Sequence, residues 1–241
     1  MSDLKSQLDS LPLAPLTDAQ KLKLEAYLEQ LLSATQETNL TAIVEREEAW
    51  NRHIVESLRL LPLLEVELGA SHGQERMQAQ RLIDVGSGGG LPGMVIAIMR
   101  PDLAVTLLEA TEKKARFLER TGKLLGLANL SVISERAEDA ARPGSALRES
   151  FDMVTARAVA PLRVLLELTV PFLRVSGLLV AVKGERAESE LTDAQVALKL
   201  LGTRLESSLR QPTATVLRLR KSQPTPAKYP RRPGEPKRNP L

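Results

Sequence analysis

Apolar positions recur with two different periods along this chain. Up to about residue 70 the spacing is helical: Leu24, Tyr27, Leu28 and Leu31 form one stripe, and Trp50, Ile54, Ser57, Leu58 and Leu61 form the next. Thr17-Asp18-Ala19-Gln20 has the form of a capping box that opens the first helix. A turn is expected at Glu37-Thr38-Asn39-Leu40-Thr41, and a second helix from about Glu45 to Leu64. From about residue 80, short apolar runs alternate with helical stretches, and 81–85, 104–109, 130–134, 151–156 and 177–183 are predicted strands. Gly126 is placed to close a helix at 112–125, and Pro161 to open the one carrying Leu165, Leu166 and Leu168. A polar helix to about Gly202 follows, then an antiparallel pair at Arg204–Leu209 and Thr213–Arg220. Repeated strand–helix units imply an α/β fold: a mostly parallel sheet with helices on both faces. The expected division is an N-terminal helical extension (1–75), the sheet domain (76–221) and a basic, proline-rich tail (222–241).

The chemistry concentrates at the end of the first strand. Arg81-Leu82-Ile83-Asp84-Val85 runs into five glycines within the eight residues Gly86–Gly93. Glycine suits a turn that takes positive φ and lets a ligand approach the backbone. The helix that follows offers N–H groups to an electron-rich or anionic ligand group. Read from Gly88, the pattern fits the dinucleotide fingerprint G-x-G-x-x-G. Read from Asp84, it is D-x-G-x-G-x-G, which resembles the first motif of S-adenosylmethionine-dependent methyltransferases. Asp84 favours the second reading, since it can face a cofactor's cationic amino-acid end. Glu109 ends the next strand, 19 residues past Gly90, where a carboxylate accepts ribose hydroxyls in either case. Ligands of such sheets bind beyond the carboxyl ends of the strands. That rule selects Glu135–Asp139, where a backbone amide and an acid can hold adenine, and Ala156-Arg157-Ala158 and Lys183-Gly184, which share one crevice. His53 lies on or beside the apolar face of its helix, and spacing alone favours a hydrogen-bonded packing histidine over a contact to cofactor or RNA.

Composition narrows the chemistry. Cysteine is absent, which removes a thiol nucleophile for C5-pyrimidine methylation and any cysteine-ligated iron–sulfur cluster. Two histidines, His53 and a loop-like His72, make no conventional zinc set, and no metal is expected. No apolar run approaches a membrane span, and the first residues lack a signal-peptide pattern, so a cytoplasmic protein with no membrane partner is expected. Charge is uneven. From Arg218 to Leu241 eight Lys/Arg stand against one Glu, a local +7 in a chain of net +3, leaving −4 on the rest. Such a tail suggests a polyanion, with Tyr229 stacking a base while Arg231 and Arg232 hold phosphates.

Asn39-Leu40-Thr41-Ala42, Arg52-His53-Ile54-Val55-Glu56-Ser57-Leu58, the Ile83–Gly93 turn, Ala156-Arg157-Ala158 and Lys183-Gly184 occur in that order. Together with Tyr229–Gly234 and Pro236–Leu241, they resemble the RsmG (GidB) family of bacterial 16S ribosomal RNA guanine-N7 methyltransferases, from about residue 20 onward. Glu56 departs from the pattern, where the family usually has Asp, which weakens any role for that carboxylate. The resemblance implies a Rossmann-like class I methyltransferase with S-adenosyl-L-methionine as cofactor. It implies cofactor contacts at Gly86, Leu91, the loop Glu109-Ala110-Thr111, Ala137, Glu138 and Arg157, and Gly88 in the same glycine turn is a further cofactor-binding candidate. Pattern alone makes Leu91 a packing residue. His53, Lys183, Tyr229, Arg231 and Arg232 are the candidate RNA contacts, the substrate is 16S rRNA or an assembling 30S subunit, and a monomer is expected. Guanine N7 has a lone pair and no proton, so no general base is assigned. The place after the fourth strand lacks the Asn/Asp-Pro-Pro-aromatic signature of exocyclic-amine methylation. Methylation makes the purine cationic, so Arg157 is expected to orient the cofactor carboxylate, guanine O6 or a phosphate. The residues alone leave open a small-molecule or protein methyltransferase, a nonenzymatic ribosome-assembly factor and a nicotinamide dehydrogenase.

Overall fold

The computed structural model describes residues 13–70 and 79–241; His72, expected in a loop, lies outside them. Seven strands build one sheet: β1 (Arg81–Val85), β2 (Ala104–Leu108), β3 (Leu130–Ile133), β4 (Phe151–Arg157), β5 (Leu173–Lys183), β6 (Thr203–Arg210) and β7 (Thr215–Lys221). Their order is β3-β2-β1-β4-β5-β7-β6, with β1 to β5 parallel and β6 and β7 forming the expected antiparallel pair. The strand order reverses between β1 and β4, the position at which α/β sheets hold their ligands.

Neighbouring residues in the strands face opposite ways. Leu82, Met153, Leu178 and Val216 enter one apolar cluster, while Ile83, Val154, Leu179 and Leu217 enter the other. Burial on both faces explains why these strands read as continuous apolar runs. The first cluster is covered by α1 (Asp18–Thr38), α5 (Gly93–Met99) and α6 (Glu112–Leu124), the second by α8 (Leu162–Thr169) and α10 (Gln195–Leu200). α1 starts at the capping box, in which the Gln20 N–H donates to Thr17 Oγ1 and the Thr17 N–H to Gln20 Oε1. Its Leu24, Tyr27, Leu28 and Leu31 are wholly buried, each contributing roughly 1.5–3 kcal/mol relative to exposure.

Three elements differ from expectation, the first being the single polar helix expected before Gly202, which is split at Ala194 into α9 (Ala187–Asp193) and α10 (Gln195–Leu200). β5 begins at Leu173, four residues before the predicted start, because its edge pairs Phe151 with Leu173 despite a register irregularity and a positive φ at Ser176. The second helix is not continuous. It comprises α2 (Arg46–Ala49), a π-helical turn (Trp50–Val55) and α3 (Glu56–Leu58), then α4 (Leu61–Ala70) after a break. Pro62 accounts for the break, since its ring would clash with the carbonyl one turn earlier and it has no N–H to donate. Two short helices complete the body, α7 (Ala137–Ala140) and α9 (Ala187–Asp193). The last residues end in α11 (Glu235–Arg238) and pack on the second cluster through the buried ring of Tyr229.

Candidate active site

The glycine turn hangs from the end of β2: the N–H groups of Gly86 and Ser87 both donate to the Leu108 carbonyl, at 2.8 and 3.1 Å. Asp84 points inward. Its Oδ2 accepts the Gly93 N–H at 3.1 Å and its Oδ1 the Thr155 hydroxyl at 2.8 Å. Burial pushes its pKa up to about 6. Asp84 therefore braces the turn rather than facing a cofactor's cationic end, as its position in the motif had suggested. The turn's donors are also used internally. Gly90 and Leu91 donate to the Ser87 carbonyl, Gly88 to Glu109 Oε2 at 2.9 Å, and Met94 to the Gly90 carbonyl. The Gly93 and Met94 N–H groups at the start of α5 are thus taken by the protein's own acceptors, which disfavours a pyrophosphate there and hence the dinucleotide reading.

What the turn leaves open is space beside a carboxylate. Gly86 and Gly88 sit at φ +71° and +56°, and a Cβ on Gly88 would meet nothing nearer than 3.9 Å. Glu109 accepts the N–H groups of Gly88 and Thr111, one on each oxygen, and each oxygen keeps a further lone pair. Ala110 and Thr111 are exposed beside it. This cradle fits a ribose with two hydroxyls. Leu91 is buried within the first cluster, as the apolar pattern indicated. Sequence reasoning missed Tyr27, whose hydroxyl reaches from α1 to donate to the Gly89 carbonyl at 2.8 Å. Its signal was a lone phenol in an otherwise aliphatic stripe.

A separate cavity of about 240 Å3 opens past the ends of β4 and β5, lined among others by Arg52, His53, Glu56, Arg157, Lys183 and Thr213. The π-helical turn shapes it. In an α-helix the Glu56 N–H would bond to the Arg52 carbonyl; here it donates to Asn51 and His53, and the Arg52 carbonyl accepts Arg157 Nη1 at 2.9 Å. Arg157 Nη2 lies 3.0 Å from His53 Nδ1. A guanidinium only donates, so Nδ1 is the acceptor and Nε2–H donates to Thr41 Oγ1 at 2.7 Å. Burial, reinforced by the charge of Arg157, lowers the His53 pKa to about 4, so the ring is neutral at physiological pH. Glu56 lies 3.4 Å from both Arg157 and Arg52 and accepts the Thr213 hydroxyl. Lys183 lines the same cavity as Arg157, yet its ammonium is held by the Ala160 carbonyl and Glu190, both at 2.7 Å.

The remaining candidates lie elsewhere. Ala137 and Glu138 open α7, and Glu138 is buried. Tyr229 is only 4% exposed, and Arg231 is bound to the wholly buried Glu167. This placement overturns the expectation that the Tyr229 ring stacks a base and that Arg231 holds phosphate: the ring fills the core and the guanidinium neutralises a core carboxylate. Arg232 is exposed. Among the described residues no group of three or more His, Asp or Glu is arranged to hold a metal, and no helix is long and apolar enough to cross a membrane.

Residues 20–213 match the family model for GidB, rRNA small subunit methyltransferase G. The chain belongs to that family. Curated relatives include the ribosomal RNA small subunit methyltransferase G of Sorangium cellulosum, 48% identical over 87% of this chain and 83% of that protein. The namesake from Moorella thermoacetica is 39% identical over 90% and 89%. A solved structure of MtNAS, in mutant form, shares the fold at 18% identity, with a TM-score of 0.52 over 92% of this chain and 82% of that one. The Rossmann-like methyltransferase architecture expected of the family is the one observed, including its terminal antiparallel pair.

Proposed function

We propose that this family member transfers a methyl group from S-adenosyl-L-methionine to N7 of a guanine in 16S rRNA, acting in the cytoplasm as a monomer and without a metal. When bound, S-adenosyl-L-methionine supplies an electrophilic methyl group on its sulfonium. Gly86 and Gly88 let it approach the turn, Glu109 accepts its ribose hydroxyls, with Ala110 and Thr111 flanking, and Ala137 and Glu138 hold the adenine. Leu91 fixes the turn from beneath. The cavity beside Arg157 takes the acceptor base.

One observation carries the choice of atom: the cavity holds no free base. Both nitrogens of His53 are engaged, and Glu56 is shared among Arg52, Arg157 and Thr213. An exocyclic amine must shed a proton as it is methylated, whereas guanine N7 attacks with a lone pair that carries none. The residues then have to align the acceptor and exclude water. Arg157, fixed by Arg52, His53 and Glu56, orients O6 or a phosphate rather than touching N7, which becomes cationic. His53 contributes by setting Arg157, and Arg232 meets RNA outside the cavity.

The test is transfer of label from S-adenosyl-L-methionine to 16S rRNA and to 30S particles, followed by nucleoside analysis. Label in 7-methylguanosine, lost in Gly86→Asp, is the expected result. Label in another nucleoside overturns the choice of atom, and cofactor binding with no label on either substrate overturns the choice of acceptor.

A further inference from the structure

The C-terminal segment reaches the proposed cofactor site, although its sequence reads as a basic tail. It is anchored on both sides. The backbone N–H, Nε and Nη2 of Arg231 all donate to Glu167, which is fully buried on α8, at 2.6–3.1 Å. Arg148 holds the carbonyls of Thr225 and Tyr229 at 2.8 Å each. Just past these anchors Gly234, at φ +83°, turns its N–H onto Glu138 Oε1 at 2.9 Å, across 96 residues of sequence. Arg136 reaches the same oxygen at 3.4 Å, so both contacts fall on Oε1.

We infer that the C-terminal segment positions Glu138 by gripping one carboxylate oxygen, so that the other accepts the amino group of a 6-aminopurine and rejects a 6-oxopurine. The inference rests on the cofactor reading above, which puts adenine at Ala137 and Glu138. A glutamate side chain has three rotatable bonds, and a hydrogen bond that removes this freedom before the ligand arrives lowers the cost of ordering it on binding. An ionised carboxylate only accepts, so an amino group gains a charge-assisted bond where a carbonyl meets repulsion. Gly234 and Arg231 act through Glu138 and are positioning groups. Selectivity for the base of the cofactor would then depend on anchors about a hundred residues away in the chain.

The test compares S-adenosylhomocysteine with S-inosylhomocysteine by titration calorimetry on the full chain. Wild type is expected to prefer the amino form by about 10- to 100-fold, the range of a hydrogen bond to a charged group. Arg231→Ala should bring the ratio towards unity. Because that change leaves a buried carboxylate alone and can unfold the chain, Arg231→Met combined with Glu167→Gln carries the same test without the stranded charge. A tail with a merely structural role would weaken both ligands by one factor and leave their ratio intact, and that result overturns the inference. Glu138→Gln separates the two levels: it should erase the preference, since an amide can donate to the 6-oxo group. A ratio that survives Glu138→Gln overturns the assignment of adenine to Glu138 itself. A ratio lost in Glu138→Gln but kept in the Arg231 variants overturns only the role of the C-terminal segment.

Discussion

Asp84 and His53 are both buried near Arg157, and burial moves them in opposite directions. Asp84 rises from 3.8 to about 6, so between those values the folded state binds its proton more readily than the unfolded chain does. Its contribution to stability is greatest below 3.8 and falls as pH rises through 6. His53 drops from 6.5 to about 4, so its contribution is complete above 6.5 and is lost as pH falls towards 4. The windows overlap and the slopes oppose, so these two residues together leave the melting temperature nearly flat from pH 4 to 6.5. Asp84→Asn should expose the His53 slope, a melting temperature that climbs with pH. The amide can keep the contacts of the carboxylate, accepting from Gly93 while a rotated Thr155 hydroxyl accepts from it. His53→Gln should expose the reverse slope. Calorimetric scans in half-unit pH steps decide this, and parallel profiles for the two variants would refute it.

At the scale of elements, α1 is part of the proposed cofactor cradle as well as a cover for the sheet. Tyr27 donates to Gly89, and a Cβ on Gly89 would lie 2.7 Å from Leu31 on the same helix. Tyr27→Phe leaves a buried carbonyl without its donor and should cost about 1–2 kcal/mol. Affinity for S-adenosylhomocysteine should fall with it, measured by titration, while an unchanged affinity would show that the turn holds its shape without α1. Gly93→Ala should cost more, about 2–3 kcal/mol. Its methyl would overlap Leu107 and lie 2.8 Å from Asp84 Cβ, both of which are held in the sheet. Urea unfolding measures it, and a loss under 0.5 kcal/mol would contradict the packing argument. These contacts mark where reading from sequence stops. The strands were legible because two-sided burial writes itself as apolar runs, and the glycine turn because few other residues tolerate its backbone. The partners of Asp84, the pairing of Arg157 with His53 and the reach of Tyr27 were not legible, since each joins residues far apart whose types suit ordinary packing. The π-helical turn was hidden for another reason: its sequence keeps an apolar stripe that an unbroken helix would also show.

At the scale of the whole molecule, the charge of the C-terminal region is partly neutralised by the fold. Arg218 and Arg220 face Glu206, Lys221 is buried against Glu149, Arg231 against Glu167, and Arg238 meets Glu235. Lys228, Arg232 and Lys237 form no ion pair with a described residue and are exposed. Two changes that both remove basic charge from this region therefore have different consequences. Removing everything from Lys221 takes away the Tyr229 plug and strands the carboxylates of Glu149 and Glu167, one of them fully buried. Unfolding, rather than a selective loss of RNA affinity, is the expected result. Replacing only Lys228, Arg232 and Lys237 with glutamine should leave the fold and the cofactor affinity intact while lowering affinity for 16S rRNA. Each phosphate contact contributes about 0.7 to the slope of log K against log salt on single strands. Loss of all three should flatten that slope by about 2, read from binding isotherms between low and physiological salt. An unchanged slope would mean that the rRNA backbone lies on another face, with the cations around the Arg52–Arg157 cavity as the next to replace.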